Sequence, residues 1–157
     1  MTTVTALRPE ELNRNFAVGE LQAMHLAGEL TRHGIPGFEF YLPVGEFPSL
    51  ETRAASLETL MRPGRTITGR SARWVHVGGP VPPHVELSRR SGTPLRVDEA
   101  VRCRFRRLKA SDVMRLGGLV LTTPRRTALD LRREGFETEA RMLDPLVDAV
   151  RPGSAAS

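Results

Sequence analysis

Apolar residues recur at two different spacings along this chain, and each spacing predicts a different kind of element. Residues 18–33 place apolar side chains three and four positions apart, which predicts an amphipathic helix that stops at Gly34. Pro9 is suited to open a short helical turn before it. Residues 38–43 form an apolar run bounded by Pro and Gly, which predicts a strand.

The next part of the chain predicts short elements separated by turns. A helix is expected over residues 49–61, with Ser49 as its N-cap. Residues 69–77 are compatible with either a short helix or a strand. Residues 84–88 predict a short strand, and the basic, glycine-containing stretch at 89–94 predicts a loop.

The clearest pattern lies in residues 100–108, where apolar and basic side chains alternate. The apolar set is Val101, Cys103 and Phe105, and the basic set is Arg102, Arg104 and Arg106. A period of two is typical of a strand, whose successive side chains point to opposite faces. We therefore expect the apolar set to face a core and the three arginines to project from the other side.

A hairpin and a capped helix are predicted next. Residues 113–121 read VMRLGGLVL, so the Gly-Gly pair is expected to form the turn of a β-hairpin. Thr122 or Thr123 can cap the helix that follows, and Pro124 fits its first turn. This arrangement predicts a well-defined helix start directly after a strand.

The order of these elements predicts the fold class. A last helix is expected over residues 137–150, kinked or broken at Pro145. Helices at both ends thus enclose a cluster of short strands, which favours an α+β fold over a doubly wound sheet. We expect a small antiparallel or mixed sheet flanked by helices.

Charge is concentrated in the middle of the chain. The 157 residues carry a net charge of +5, and Lys109 is the only lysine among 23 basic residues. Residues 62–133 hold a net +12, whereas residues 1–61 hold −4 and residues 134–157 hold −3. A GC-rich genome by itself explains the preference for arginine, but not its position. An uncompensated basic segment favours a polyanionic partner over a solvated face paired with acids elsewhere.

Other features exclude several classes of protein. The apolar stretches are far shorter than the roughly 20 residues needed to span a bilayer, and the N-terminus lacks the pattern of a signal peptide. One cysteine and four scattered histidines give no metal-ligand spacing and no intrachain disulfide. We expect a cytoplasmic protein with neither a metal nor a cofactor, and no contact with membranes.

Catalytic motifs are also missing from the sequence. It contains no phosphate-binding loop, dinucleotide fingerprint, nucleophile elbow or zinc-protease motif. A restriction-type nuclease needs an acidic residue two positions before a lysine, but Arg107 precedes Lys109. A polymerase-type nucleotidyltransferase needs carboxylates one residue apart, and Glu137 and Glu139 fit a helix start better. We expect no enzymatic activity.

Residues 117–134 read GGLVLTTPRRTALDLRRE and combine a hairpin strand with a Thr-Pro helix start. The positions of interest are Thr122, Thr123, Pro124, Arg126, Thr127, Asp130 and Leu131. With Ser71-Ala72-Arg73-Trp74 upstream, this stretch resembles the C-terminal part of AbiEi-type antitoxins and transcriptional regulators of bacterial type IV toxin–antitoxin systems. Arg126 and Asp130 either form a surface ion pair or leave Arg125 or Arg126 to donate to phosphate.

The resemblance also implies a domain organisation. Members of the family carry an N-terminal winged helix, and residues 18–43 resemble its second half. We therefore expect a shortened winged-helix-like part at 1–47, an AbiEi-like domain at 48–151 and a disordered tail at 152–157. The helix at 18–33 carries only Arg32, whereas a recognition helix presents several groups to bases. Sequence-specific binding thus depends on the basic C-terminal segment.

The resemblance implies a non-catalytic DNA-binding regulator that counters a nucleotidyltransferase toxin and represses its own operon. Its partners would be double-stranded DNA, in the form of promoter repeats, and the toxin, without a stable complex being required. The expected nucleic-acid contacts are Arg102, Arg104 and Arg106, flanked by Arg89, Arg90, Arg125 and Arg126. Alanine at the first three positions is expected to lower DNA affinity.

Two further interpretations remain open at this point. AbiEi-like regions also precede nucleases similar to very-short-patch-repair endonucleases, so the chain could be the recognition region of such a protein. Alternatively, the arginines could meet an acidic protein and form an interaction module that does not bind DNA.

Overall fold

In a computed structural model, the structure describes residues 9–90 and 99–150. The chain forms helices and strands in alternating groups within these ranges. The helices are α1 (Pro9–Asn15), α2 (Val18–Leu26), α3 (Leu50–Ser56), α4 (Gly69–Val77), α5 (Pro124–Arg133), α6 (Glu137–Arg141) and α7 (Asp144–Ala149). The strands are β1 (Leu30–His33), β2 (Phe40–Pro43), β3 (Arg65–Ile67), β4 (Val85–Arg89), β5 (Val101–Cys103), β6 (Val113–Leu116) and β7 (Leu119–Thr122). Short 3-10 helices occupy Glu58–Leu60 and Ala110–Asp112.

The N-terminal region contains two helices and a two-stranded hairpin. Strands β1 and β2 pair antiparallel, and one small core joins them to α1 and α2. This core consists of the buried residues Leu12, Leu21, Leu30 and Tyr41. The prediction of a winged-helix-like part at 1–47 stays a prediction.

The single helix expected over residues 18–33 is wrong in its second half. Helix α2 ends at Leu26, and Gly28 follows with a φ of 80°, a left-handed conformation that glycine adopts without a Cβ clash. The chain then reverses, so that Leu30 and the next three residues pair with β2. Pairing across the hairpin therefore overrides the helical spacing of these residues, and Gly34 belongs to the hairpin loop.

A five-stranded mixed sheet forms the centre of the molecule, in the order β5-β4-β3-β7-β6. Strand β3 pairs antiparallel with β4 and parallel with β7, whereas β5 runs parallel to β4. Strands β6 and β7 form the hairpin predicted around the Gly-Gly turn. The predicted α+β class, with a small mixed sheet flanked by helices, is confirmed.

Helix α4 is the central helix, because it packs against α3, α5 and strand β4. Most of its residues are buried, and Trp74 and Val75 belong to the main core together with Ile67, Leu87 and Leu121. Residues 69–77, which the sequence left open between helix and strand, are therefore helical. A second cluster, which includes Leu131 and Leu143, packs α5 against α6 and α7.

A buried ion pair fastens α6 to α4. Arg73 is 0 % exposed, and its Nη2 lies 2.7 Å from Oε2 of Glu139. The same guanidinium donates to the carbonyls of Gly78 and Pro80, and Arg70 Nε lies 3.0 Å from the other oxygen of Glu139. Glu139 is thus more than a helix-start residue: it neutralises an arginine that water does not reach.

The C-terminal predictions are largely confirmed. Thr123, not Thr122, caps α5, and the break at Pro145 divides the last stretch into α6 and α7. Most of the predicted loop at 89–94 and the tail at 152–157 lie outside the described residues. Within residues 9–90 and 99–150, every helix is too short or too polar to cross a membrane.

Candidate nucleic-acid interface

The pairing of β3 with β4 sets two arginines opposite each other. Arg65 faces Arg89 across the antiparallel pair, where like charges destabilise a sheet. Arg65 donates from Nη1 to the carbonyl of Leu60 at 3.0 Å, which leaves its charge unneutralised. The Nη1 of Arg89 is buried and has no hydrogen-bond partner among the described residues. An anion placed here would satisfy a donor and relieve the repulsion.

This pair lies in a broad, open groove with a volume of about 1570 Å³. The groove is lined by the 61–66 segment, the end of β4, the chain between β5 and β6, and parts of the β6–β7 hairpin. Seven of its basic residues have no carboxylate within 4.0 Å in the described part of the chain. They are Arg62, Arg65, Arg89, Arg90, Arg107, Lys109 and Arg115.

Carboxylates are kept away from this surface. The groove is lined by no Asp or Glu from the described ranges. The two nearest acids have other partners: Asp112 accepts from Arg126 Nη1 at 2.9 Å, and Glu58 accepts from the backbone N–H of Gly118 at 3.0 Å. The positive charge of the groove is therefore not neutralised by its immediate surroundings.

Apolar side chains line the groove between the cations. Met61, Met114 and Val120 are half-buried there. Phe105 differs from them, because 68 % of its surface is exposed. The groove thus offers both cations and an open aromatic face, the two elements of a surface that binds nucleic acid.

The alternating stretch at 100–108 is a strand only at its start. Strand β5 ends at Cys103, because Arg106 N donates to the side chain of Ser88 instead of continuing the backbone ladder. Val101 is buried as expected, but Cys103 is exposed and Phe105 lies in the groove. The expectation that all three apolar residues face the core is wrong for two of them.

The basic half of the alternation is also not a free face. Arg106 donates to Glu134, and its Nη1 lies 3.6 Å from Oδ1 of Asp130. Arg104 is half exposed, with its Nη1 3.4 Å from the same Glu134. The idea of three uncompensated arginines here is therefore wrong, because carboxylates of α5 and its C-cap neutralise two of them. Arg102 alone is exposed without a carboxylate partner in the described ranges.

The motif of residues 122–131 holds the structure together. Thr123 accepts from the N–H of Arg126 at 3.2 Å, and Arg126 Nε donates to Asp130 at 3.0 Å. Burial lowers the pKa of Arg126, but Asp130 and Asp112 raise it on balance. Thr127 and Asp130 are buried, and Thr127 hydrogen-bonds the side chain of Thr122 at 2.7 Å. Arg126 is thus engaged as an ion-pair partner.

The predicted contact residues therefore separate into three groups. Arg89 and Arg90 lie in the groove. Arg104, Arg106 and Arg126 are ion-paired, although Arg106 also lines the groove. Arg102 and Arg125 are exposed outside it.

Five cations of the groove escaped the sequence reasoning. They are Arg62, Arg65, Arg107, Lys109 and Arg115. They come from segments up to 53 positions apart, so no local pattern connects them. The available signal was the pairing register: aligning the strands at 65–67 and 85–89 as an antiparallel pair would have set Arg65 against Arg89.

The comparisons with other proteins leave this site to be interpreted from its own geometry. Within the described residues, no three His, Cys, Asp or Glu side chains cluster so as to hold a metal ion. Comparison of the chain with protein-family models, curated proteins and solved structures found no match.

Proposed function

We propose that this chain is a nucleic-acid-binding regulator whose binding site is the basic groove. The observation that carries this proposal is the convergence of seven cations without a neighbouring carboxylate among the described residues. Arginine suits such a role because its planar guanidinium donates two parallel hydrogen bonds to a phosphate. The unpartnered Nη1 of Arg89 is one such donor in need of an acceptor.

The resemblance to AbiEi-type proteins supports a more specific role. In that role the protein is a cytoplasmic, non-catalytic antitoxin that binds promoter DNA and counters a nucleotidyltransferase toxin. Antitoxin activity is tested by co-expressing the chain with a nucleotidyltransferase encoded beside it. Restored growth supports this role, and continued toxicity despite expression of the folded protein contradicts it.

Binding by the groove is tested with two triple variants that remove the same charge. Arg90, Arg107 and Arg115 are exposed groove residues, and each becomes alanine in the first variant. The matched control replaces exposed arginines outside the groove, namely Arg102, Arg125 and Arg133. Because both variants lose three positive charges, a difference between them reports position instead of net charge.

The assay is fluorescence anisotropy of a labelled 20-base-pair duplex, titrated at several salt concentrations. Each phosphate contact contributes about 0.9 to the slope of log affinity against log salt. We expect the groove variant to bind more weakly and with a shallower slope, while the control variant retains most of both. Equal losses in the two variants would contradict the groove as the binding site. Tight binding to polyglutamate but not to DNA would instead indicate an acidic protein partner.

A further inference from the structure

Phe105 presents an aromatic ring to solvent inside the groove. Its side chain is 68 % exposed, although it lies between arginines on a surface that also contains half-buried apolar residues. Exposed aromatic rings beside cations are the surfaces on which unpaired bases stack. We propose that the groove takes single-stranded nucleic acid, with one base stacked on Phe105. This inference rests on the proposed function of the groove.

The chain on both sides of Phe105 is held in place. Arg104 and Arg106 both contact Glu134, and Arg106 N donates to Ser88 Oγ at 3.1 Å. One residue further on, the carbonyl of Arg107 accepts from Arg126 at 3.1 Å. The ion pairs that remove Arg104 and Arg106 from phosphate binding thus fix the backbone that carries the ring. A fixed ring loses less entropy on binding than a mobile one.

The lining of the groove favours an unpaired strand over a duplex. A duplex directs its phosphates outward and hides the faces of its bases in the stack, so apolar side chains gain little from it. A single strand exposes base faces that can contact Phe105 and the half-buried Met61 and Met114. The volume of about 1570 Å³ also exceeds the roughly 300–1,000 Å³ of pockets for small molecules. An extended polymer fits this space better.

The first experiment compares strands and variants by anisotropy. The probes are labelled dT20, rU20 and a 20-base-pair duplex at one salt concentration. We expect both single strands to bind more tightly than the duplex, and Phe105→Ala to weaken single-strand binding by about 5- to 30-fold, the effect of losing one stacked base. Phe47→Ala is the matched control, because Phe47 is 87 % exposed and lies outside the groove. It should leave affinity unchanged.

The second experiment detects stacking directly. Trp74 is the only tryptophan and is 3 % exposed, so Phe105→Trp adds a reporter in the groove above a buried background. We expect dT20 to quench the added fluorescence, because a base stacked on the indole ring deactivates its excited state. The variant should also retain affinity for dT20, since tryptophan keeps the aromatic surface.

The outcomes separate this inference from the proposed function. Tighter binding of the duplex, unchanged affinity in Phe105→Ala, or saturation of Phe105→Trp with dT20 without quenching overturns the stacking site. The groove remains a nucleic-acid site in those cases if the Arg90, Arg107 and Arg115 variant has lost affinity. Failure of all three probes to bind the unaltered protein overturns both.

Discussion

Replacing Glu139 with glutamine tests how much the buried ion pair between α4 and α6 stabilises the fold. Glutamine keeps the shape of the side chain but removes the charge beside Arg73. Burial lowers the pKa of Arg73, and the hydrogen bond and charge of Glu139 oppose this effect. Without the carboxylate, a guanidinium that is 0 % exposed would retain only the carbonyls of Gly78 and Pro80 and a neutral amide as partners.

The expected magnitude follows from this geometry. Removing one partner of a buried ion pair costs about 3–5 kcal/mol, because the remaining charge stays desolvated. Two backbone carbonyls continue to accept from Arg73, and the side chain of Glu139 is 14 % exposed, so the lower end applies. We expect a loss of about 3 kcal/mol. For a chain of this length, that loss corresponds to a fall in Tm of roughly 6–12 °C.

The assay is urea denaturation followed by circular dichroism, with Glu137→Gln as the control. Glu137 belongs to the same helix, but its pairs with Arg141 at 3.1 Å and Arg132 at 3.7 Å are exposed. Solvent screening limits the loss in this control to below about 0.5 kcal/mol. If the two variants unfold within 1 kcal/mol of each other, the argument about the buried charge is refuted.

Three further predictions concern single residues. Thr123→Ala should destabilise the protein by about 1 kcal/mol in the same urea assay, because it removes the N-cap of α5, and Thr123→Ser should restore most of this loss. Cys103 should react fully with a thiol reagent in the native state, since it is exposed; reaction only in denaturant would contradict its placement. Burial lowers the pKa of His76, whose Nε2 lies 2.8 Å from the carbonyl of Thr122. Its contribution to stability should thus be complete above pH 6.5 and be lost as the pH falls below that value, and His76→Gln should weaken this dependence.

Local signals predicted much of the fold. The Gly-Gly turn of the β6–β7 hairpin, the Thr-Pro start of α5 and the break at Pro145 each depend on neighbouring residues, and all three are found. The failures occurred where distant partners decide. Residues 30–33 fit a helical spacing, yet they pair with β2. Residues 104–108 continue a strand pattern, yet Ser88 and Glu134 bind this segment through side chains.

The candidate site was less predictable than the fold. Net charge correctly located the basic segment in the sequence, but it could not separate paired from unpaired arginines. That distinction depends on which acids the tertiary structure brings near: Glu134 neutralises Arg104 and Arg106, whereas no acid of the described residues lines the groove. Phe105 was assigned to the core because strand alternation was extended past Cys103.

The order of the five-stranded sheet has a consequence for handling the protein at high concentration. Its two outermost strands, β5 and β6, each expose an arginine, Arg102 and Arg115. Charged side chains on outer strands hinder the intermolecular pairing that leads to aggregation. Both triple variants proposed for the binding assay lose one of these arginines. Sedimentation of each variant should therefore precede the titrations, so that self-association is not mistaken for altered affinity.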